Sequence, residues 1–355
     1  MHDSRDESSR AARPFAGGVA FAALAAACFG VTTPALERLG RGVGPLAAAG
    51  WLYAGAALGS IPFGRRAKDA RVERKHVRRL LVVAALGAVT APVCLLWGLS
   101  HTGAFGASLL LNFEAPFTVL LAWRCFHEPI GPRFAAAMAL MLAGGVLLVA
   151  GGGGAAGFGW GAAGVVAATL AWALDNTLTR PLADLDPSDV VFWKGVLGAA
   201  FSLGISLLVR QTWPSAAGIA GFSACGAVGY GISLRCYLLA QRRIGAARTA
   251  SVFALAPFIG ALTAWLAGER PGVLALGPAT ALFALGIALH VAEKHAHYHV
   301  HEALEHEHAH RHDDGHHHHV HDPPVVGTHS HRHRHEAEGH AHPHGPDLHH
   351  GHRHS

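Results

Sequence analysis

Two groups of residues in this sequence have the types and spacing to do chemistry. The first is the stretch HVHEALEHEHAHRHDDGHHHHVH, in which His299, His301, His306, His308, His310, His312, His316, His317, His318, His319 and His321 recur at nearly every second position. Imidazole suits divalent Zn, Ni, Co and Cu(II), and the absence of Cys nearby argues against a soft Cu(I) site. H-x-H and H-x-x-x-x-H spacings are mixed, so no single tetrahedral set is specified. The expectation is several exchanging sites for a divalent metal such as Zn, Ni or Co, with no cofactor required. An imidazole pKa near ~6.5 would also let such a tail respond to pH. The longest uninterrupted run is His316–His319, interleaved with Glu, Asp, Arg and Pro, which is unlike a purification tag.

The second group consists of Glu114 and Asn112 in LLLNFEAPF, Asp175 and Asn176 in AWALDNTL, Lys194, and Arg235 in GISLRCYLL. All lie within long apolar segments, where a central charge costs roughly 2.5–3.5 kcal/mol on insertion scales, so each is a candidate for a substrate or ion path. Glu114 stands two residues before Pro116, which lacks a backbone donor and can loosen a helix beside a cavity. Arg235 has two open roles, balancing Glu114 or holding an anionic group of a substrate. Asp175, Asn176 and Lys194 can alternatively snorkel to a helix end. Tyr53, Trp51, Trp172, Tyr230 and Trp193 can wall a cavity or mark interfaces and packing. Glu128 and Glu269 close their segments at loops, where capping is expected, and His101 and His290 are expected at interfaces.

The elements that must carry these residues are apolar. Charged residues make up 14% of the chain, against about 25% in a soluble domain. Residues 14–293 are membrane-like, and residues 294–355 are polar and hold all but five of the 29 histidines (His2, His76, His101, His127 and His290 lie elsewhere). A window of about 20 residues for about 30 Å of hydrocarbon yields ten spans: 15–36, 44–63, 80–100, 103–125, 134–152, 158–179, 190–209, 216–240, 245–267 and 272–291. Ten near-contiguous apolar stretches exclude a soluble bundle, which needs polar faces. The fold class expected is therefore an all-α polytopic membrane protein with ten transmembrane helices.

The loop Arg65–Arg79 carries eight Arg or Lys residues and should be cytoplasmic. Both termini then follow it, with residues 1–13 a cytoplasmic segment and not a cleaved leader, and with a bacterial inner membrane as the expected location. Basic residues cluster between apolar segments, so the pI of 9.2 reflects topology and not nucleic acid. The five cysteines have no close pair, and no disulfide framework is expected. The tail has almost no branched apolar or aromatic residues and is predicted to be disordered.

The body is duplicated. Ala115, Pro116, Phe117 and Glu128 match Ala256, Pro257, Phe258 and Glu269 at a separation of 141, and Pro45 and Trp51 match Pro187 and Trp193 at 142. Residues 14–152 and 153–293 thus form two five-span repeats. Five is odd, so the second enters the membrane from the opposite side, with a site expected where the halves meet. The N-x-E-x-P-F pattern, the pair Trp172-Ala173, the second A-P-F and the loop glutamates resemble the drug/metabolite transporter superfamily, specifically its EamA-type members. The sequence departs at Phe29-Gly30, where that family often has Trp-Gly, and in the histidine tail. The resemblance implies no enzyme but a secondary transporter in the lipid bilayer, exporting a small organic metabolite or drug in exchange for a proton or other ion. The alternatives are a divalent metal (Ni, Co or Zn) exporter whose tail collects the ion, and an inert anchor for a metal store. Whether the chain forms a homodimer is left open.

Overall fold

The computed structural model describes residues 4–63, 71–126, 132–151, 158–179, 182, 185–244, 246–269 and 273–291, and the backbone of four strands in the tail; at some helix ends the backbone alone is described. Among the described residues, every expected span is mainly helical. Single helices make the first, second, fifth, sixth, seventh and tenth passes: α1 (Ser4–Gly40), α2 (Pro45–Ser60), α7 (Pro132–Gly151), α8 (Phe158–Thr179), α9 (Pro187–Leu208) and α14 (Val273–Val291). The other four are broken. The third runs from α3 (Val77–Ala84) through a π-helical stretch, Ala85–Thr90, into α4 (Ala91–Thr102). The fourth joins α5 (Ala104–Leu110) to α6 (Glu114–Phe126) through a 3-10 turn, Leu111–Phe113. The eighth joins α10 (Ala216–Cys225) to α11 (Ser233–Ile244) through a second π-helical stretch, Gly226–Ile232, and the ninth is split into α12 (Ala246–Phe253) and α13 (Ala256–Leu266).

These breaks obey the duplication. The two π stretches begin 141 residues apart, at Ala85 and Gly226, and the fourth and ninth passes break just before Pro116 and Pro257. Proline lacks the amide that would bond back one turn, so a new helix starts more cheaply there than an old one continues. In α13 it occupies the first turn. Discontinuous helices at matching positions of two halves are the usual frame of a midplane site in secondary transporters.

Packing interleaves the halves. Helix α2 lies against α9, α7 against α14, α4 against α8, and α1 against α11 and α13. Small residues permit the close approaches: a Cβ on Gly226 would collide with the Leu52 carbonyl, and one on Gly55 with the Ser223 backbone. Leucines such as Leu58, Leu142 and Leu208 remain exposed on the outer surface, as a lipid-facing side chain must. Among the described residues five passes are long and apolar enough to cross a bilayer (Ala16–Gly40, Pro45–Phe63, Arg74–Thr102, Pro187–Leu208 and Ala216–Ile244), with shorter apolar helices at Ala135–Leu147, Ala256–Leu266 and Gly277–Leu289.

Of the tail, only the backbone of four short strands is described. Strands β1 (Ala296–Val300) and β4 (Gly339–Pro343) pair antiparallel, as do β2 (Leu304–His310) and β3 (His329–His335). Histidine at every second position has the period of a strand. The second ladder sets Glu305 opposite Arg334 and Glu307 opposite Arg332.

Candidate functional site

The two halves enclose a cavity walled by α1, α2, α6, α8, α9, the second π stretch, α11 and α12. It holds about 570 Å³ of empty space, counting the part continuous with the outside, and is lined by Phe29, Tyr53, Glu114, Trp172, Asp175, Asn176, Lys194, Gly229, Tyr230, Ser233, Leu234, Tyr237 and Phe253.

The polar residues form two pairs. Asn176 donates from Nδ2 to Glu114 Oε1 at 2.7 Å. Lys194 donates from Nζ to Asp175 Oδ2 in an ion pair whose side chains are 6% and 3% exposed. Thr179 Oγ1 donates to the other oxygen of Asp175 at 3.3 Å. The ion pair spans α8 and α9, and its neighbourhood is set by the first π stretch. Such a stretch misaligns carbonyls from the helical ladder, and here the Gly87 carbonyl accepts from Tyr53 Oη at 2.5 Å and from Trp172 Nε1 at 3.1 Å. Gly87 must lack a side chain, because a Cβ there would strike the Asp175 carboxylate.

Around these pairs the rings form one continuous cluster. Phe29 meets Trp172, Tyr230 and Phe253 with centroids 5.9, 5.6 and 5.8 Å away. Tyr53 meets Tyr230 at 5.5 Å, and Tyr237 meets Phe253 at 5.0 Å. The Tyr230 hydroxyl is buried with no hydrogen-bond partner among the described residues.

Of the residues singled out by sequence, Glu114, Asp175, Asn176, Lys194, Trp172 and Tyr53 come together here. Asn112 is buried next to the cavity, but its amide is spent on the Leu109 carbonyl at 2.9 Å, holding the break in the fourth pass. Arg235 is not among the residues that line the cavity. Its Nε donates to Ser188 Oγ at 3.1 Å and its guanidinium lies 4.3 Å from the centre of the Phe63 ring, at the end of the bundle that carries the basic loop. The eighth pass is 29 residues long, so an arginine in its last third reaches that end. Trp51 packs on Trp213, and Trp193 is 40% exposed and packs on Phe192. Phe253, Tyr237 and Ser233 carried no signal as single residues. Phe253 nevertheless occupies the position 141 residues after Asn112.

The opposite end is tied across the halves. Glu269 Oε2 accepts from the Phe105 amide at 2.9 Å, joining the end of α13 to the start of α5. The chain enters α5 through Gly103 at φ +74, a conformation that favours glycine. Arg38 donates to the Ala267 carbonyl at 2.5 Å, and Gln211 Oε1 accepts from the Leu46 amide at 2.9 Å. His101 lies against Trp97, the two rings tilted by 41° with centroids 4.7 Å apart.

Among the tail residues, His299 lies on β1, opposite His340, and His306, His308 and His310 lie on β2, opposite His333, His331 and His329. His301, His312, His316, His317, His318, His319 and His321, like Glu128, lie outside the described residues. Among the described residues no three His, Cys, Asp or Glu groups are arranged to hold a metal.

The EamA-like transporter family matches the chain twice, over residues 16–150 and 159–292, the two halves found by repeat. An uncharacterized transporter of Methanothermobacter thermautotrophicus (strain ATCC 29096 / DSM 1053 / JCM 10044 / NBRC 100330 / Delta H) is 29% identical over 217 residues, a match spanning 57% of this chain and 61% of that relative's length. One solved crystal structure superposes with a TM-score of 0.56 at 20% identity, covering 76% of this chain and 95% of the other, a likeness of fold.

Proposed function

The chain belongs to the EamA-like transporter family, and from that premise we propose that it is a secondary transporter exporting a small organic solute through the cavity between its repeats, in exchange for a proton or other ion. A family of transporters makes it a membrane protein and not an enzyme. The observation that carries the proposal is the enclosure of Glu114 and the Asp175–Lys194 pair, with an aromatic wall, at the junction of two halves whose helices break at equivalent points. An inert anchor has no use for these charges at that depth. We place it in a bacterial inner membrane with both termini cytoplasmic, supported by the eight basic residues of Arg65–Arg79.

A second reading concerns the tail, which binds a divalent metal such as Zn, Ni or Co. It is favoured by the register that faces histidine with histidine at three successive same-face positions of the β2–β3 ladder. On the alternative function, the metal is itself the exported ion. Cells expressing the full chain, a chain ending at Lys294, or neither separate the two. Tolerance to a toxic organic solute that survives truncation is the expected result. Tolerance to Ni, Co or Zn that truncation abolishes would make metal the cargo.

A further inference from the structure

From the charge balance and walls of the cavity, we propose that its ligand is an organic cation, an amine or quaternary ammonium attached to an apolar body. The proposal rests on the transporter reading and adds to it the charge class of the substrate and the residues that select it.

The cavity is lined by two carboxylates and one ammonium. The ammonium of Lys194 is taken by Asp175, and the second oxygen of Asp175 by Thr179. That leaves Glu114, whose polar partner among the described residues is the amide of Asn176, a dipole and not a cation. Ionised Glu114 therefore gives the site one net negative charge. A ligand carrying one positive charge neutralises it. A neutral ligand would leave the carboxylate buried without a counter-charge, and an anion would add repulsion at low dielectric.

The walls point the same way. Phe29, Tyr53, Trp172, Tyr230, Tyr237 and Phe253 bring six rings to one cavity, and the negative faces of such rings attract ammonium groups within about 6 Å of a centroid. The buried Tyr230 hydroxyl, lacking a partner among the described residues, is a polar atom that a bound ligand can satisfy.

The test uses the full chain in detergent and three probes of similar shape: benzyltrimethylammonium, benzyl alcohol and phenylacetate. Binding is read by isothermal titration calorimetry. The expected result is saturable binding of benzyltrimethylammonium in preference to both others. Glu114→Gln weakens it by about tenfold or more, and Phe29→Leu by roughly twofold to thirtyfold, the span of one cation–π contact. Far-UV circular dichroism and thermal unfolding confirm that each variant is folded. Absence of benzyltrimethylammonium binding, or binding that Glu114→Gln leaves unchanged, overturns the proposal. Equal or tighter binding of phenylacetate or benzyl alcohol overturns the charge class but leaves a solute site in the cavity, and with it the transporter reading.

Discussion

Replacing Lys194 with Met should destabilise the bundle more than any surface change. The Lys194 and Asp175 side chains are 6% and 3% exposed, and their ion pair joins α8 to α9. Met keeps most of the side-chain volume and removes the charge, which leaves the Asp175 carboxylate without its cation in a low-dielectric wall. Removing one member of a buried pair costs about 3–5 kcal/mol, most of it the penalty of the group left behind. Asp175→Asn leaves the ammonium instead and should cost a similar amount. Taking both charges away removes that penalty, so the double variant should lose less than the sum of the singles, by roughly 0.5–3 kcal/mol. Equilibrium unfolding of the four proteins in one detergent gives the cycle. Additive losses would refute the reasoning, since the pair would then not be acting as a unit.

Gly226→Ala drives a methyl group into the Leu52 carbonyl and should cost about 1–3 kcal/mol of stability. Gly204→Ala, on an open face of α9 with nothing within 4 Å, should be neutral or stabilise by up to about 1 kcal/mol in the same unfolding assay. Burial holds the Glu269 carboxyl above the usual glutamate range, against the pull of the Phe105 and Ala104 amides and Arg38, and with Glu37 adding to the rise. The folded protein thus holds that proton more readily than the unfolded chain. The contribution is full below the ordinary glutamate range and is lost as pH rises through the raised value, so thermal unfolding measured against pH should lose that slope in Glu269→Gln. A chain ending at Lys294 should lose Ni, Co and Zn binding in equilibrium dialysis while retaining solute transport.

The ten helical passes were legible because a bilayer demands long apolar runs, and the duplication was legible because A-P-F and a loop Glu recur at one separation. Glu114, Asp175 and Lys194 were legible for a related reason: ionised groups in hydrocarbon are costly enough to stand out. Arg235 stood out equally, but a linear segment does not reveal that a 29-residue pass carries it to the basic end beside Phe63 and Ser188. The π stretches left no mark in the apolar pattern, since one extra residue in a turn costs no polar residue and needs no proline. Their product, a Gly87 carbonyl shared by Tyr53 and Trp172, depends on tertiary contact alone. The aromatic wall was only half visible. Phe253 and Tyr237 look like ordinary membrane aromatics until the repeat places Phe253 at the counterpart of Asn112. In the tail, the same H-x-H alternation that suggested metal ligands also has the period of a strand.

The most direct test is uptake into proteoliposomes containing the purified full chain, under an imposed pH gradient, of labelled cationic, neutral and anionic organic solutes, with wild type and Glu114→Gln compared. Gradient-driven uptake of an organic solute that Glu114→Gln abolishes is the predicted result; uptake that proceeds at the same rate in Glu114→Gln would contradict a substrate path through this cavity.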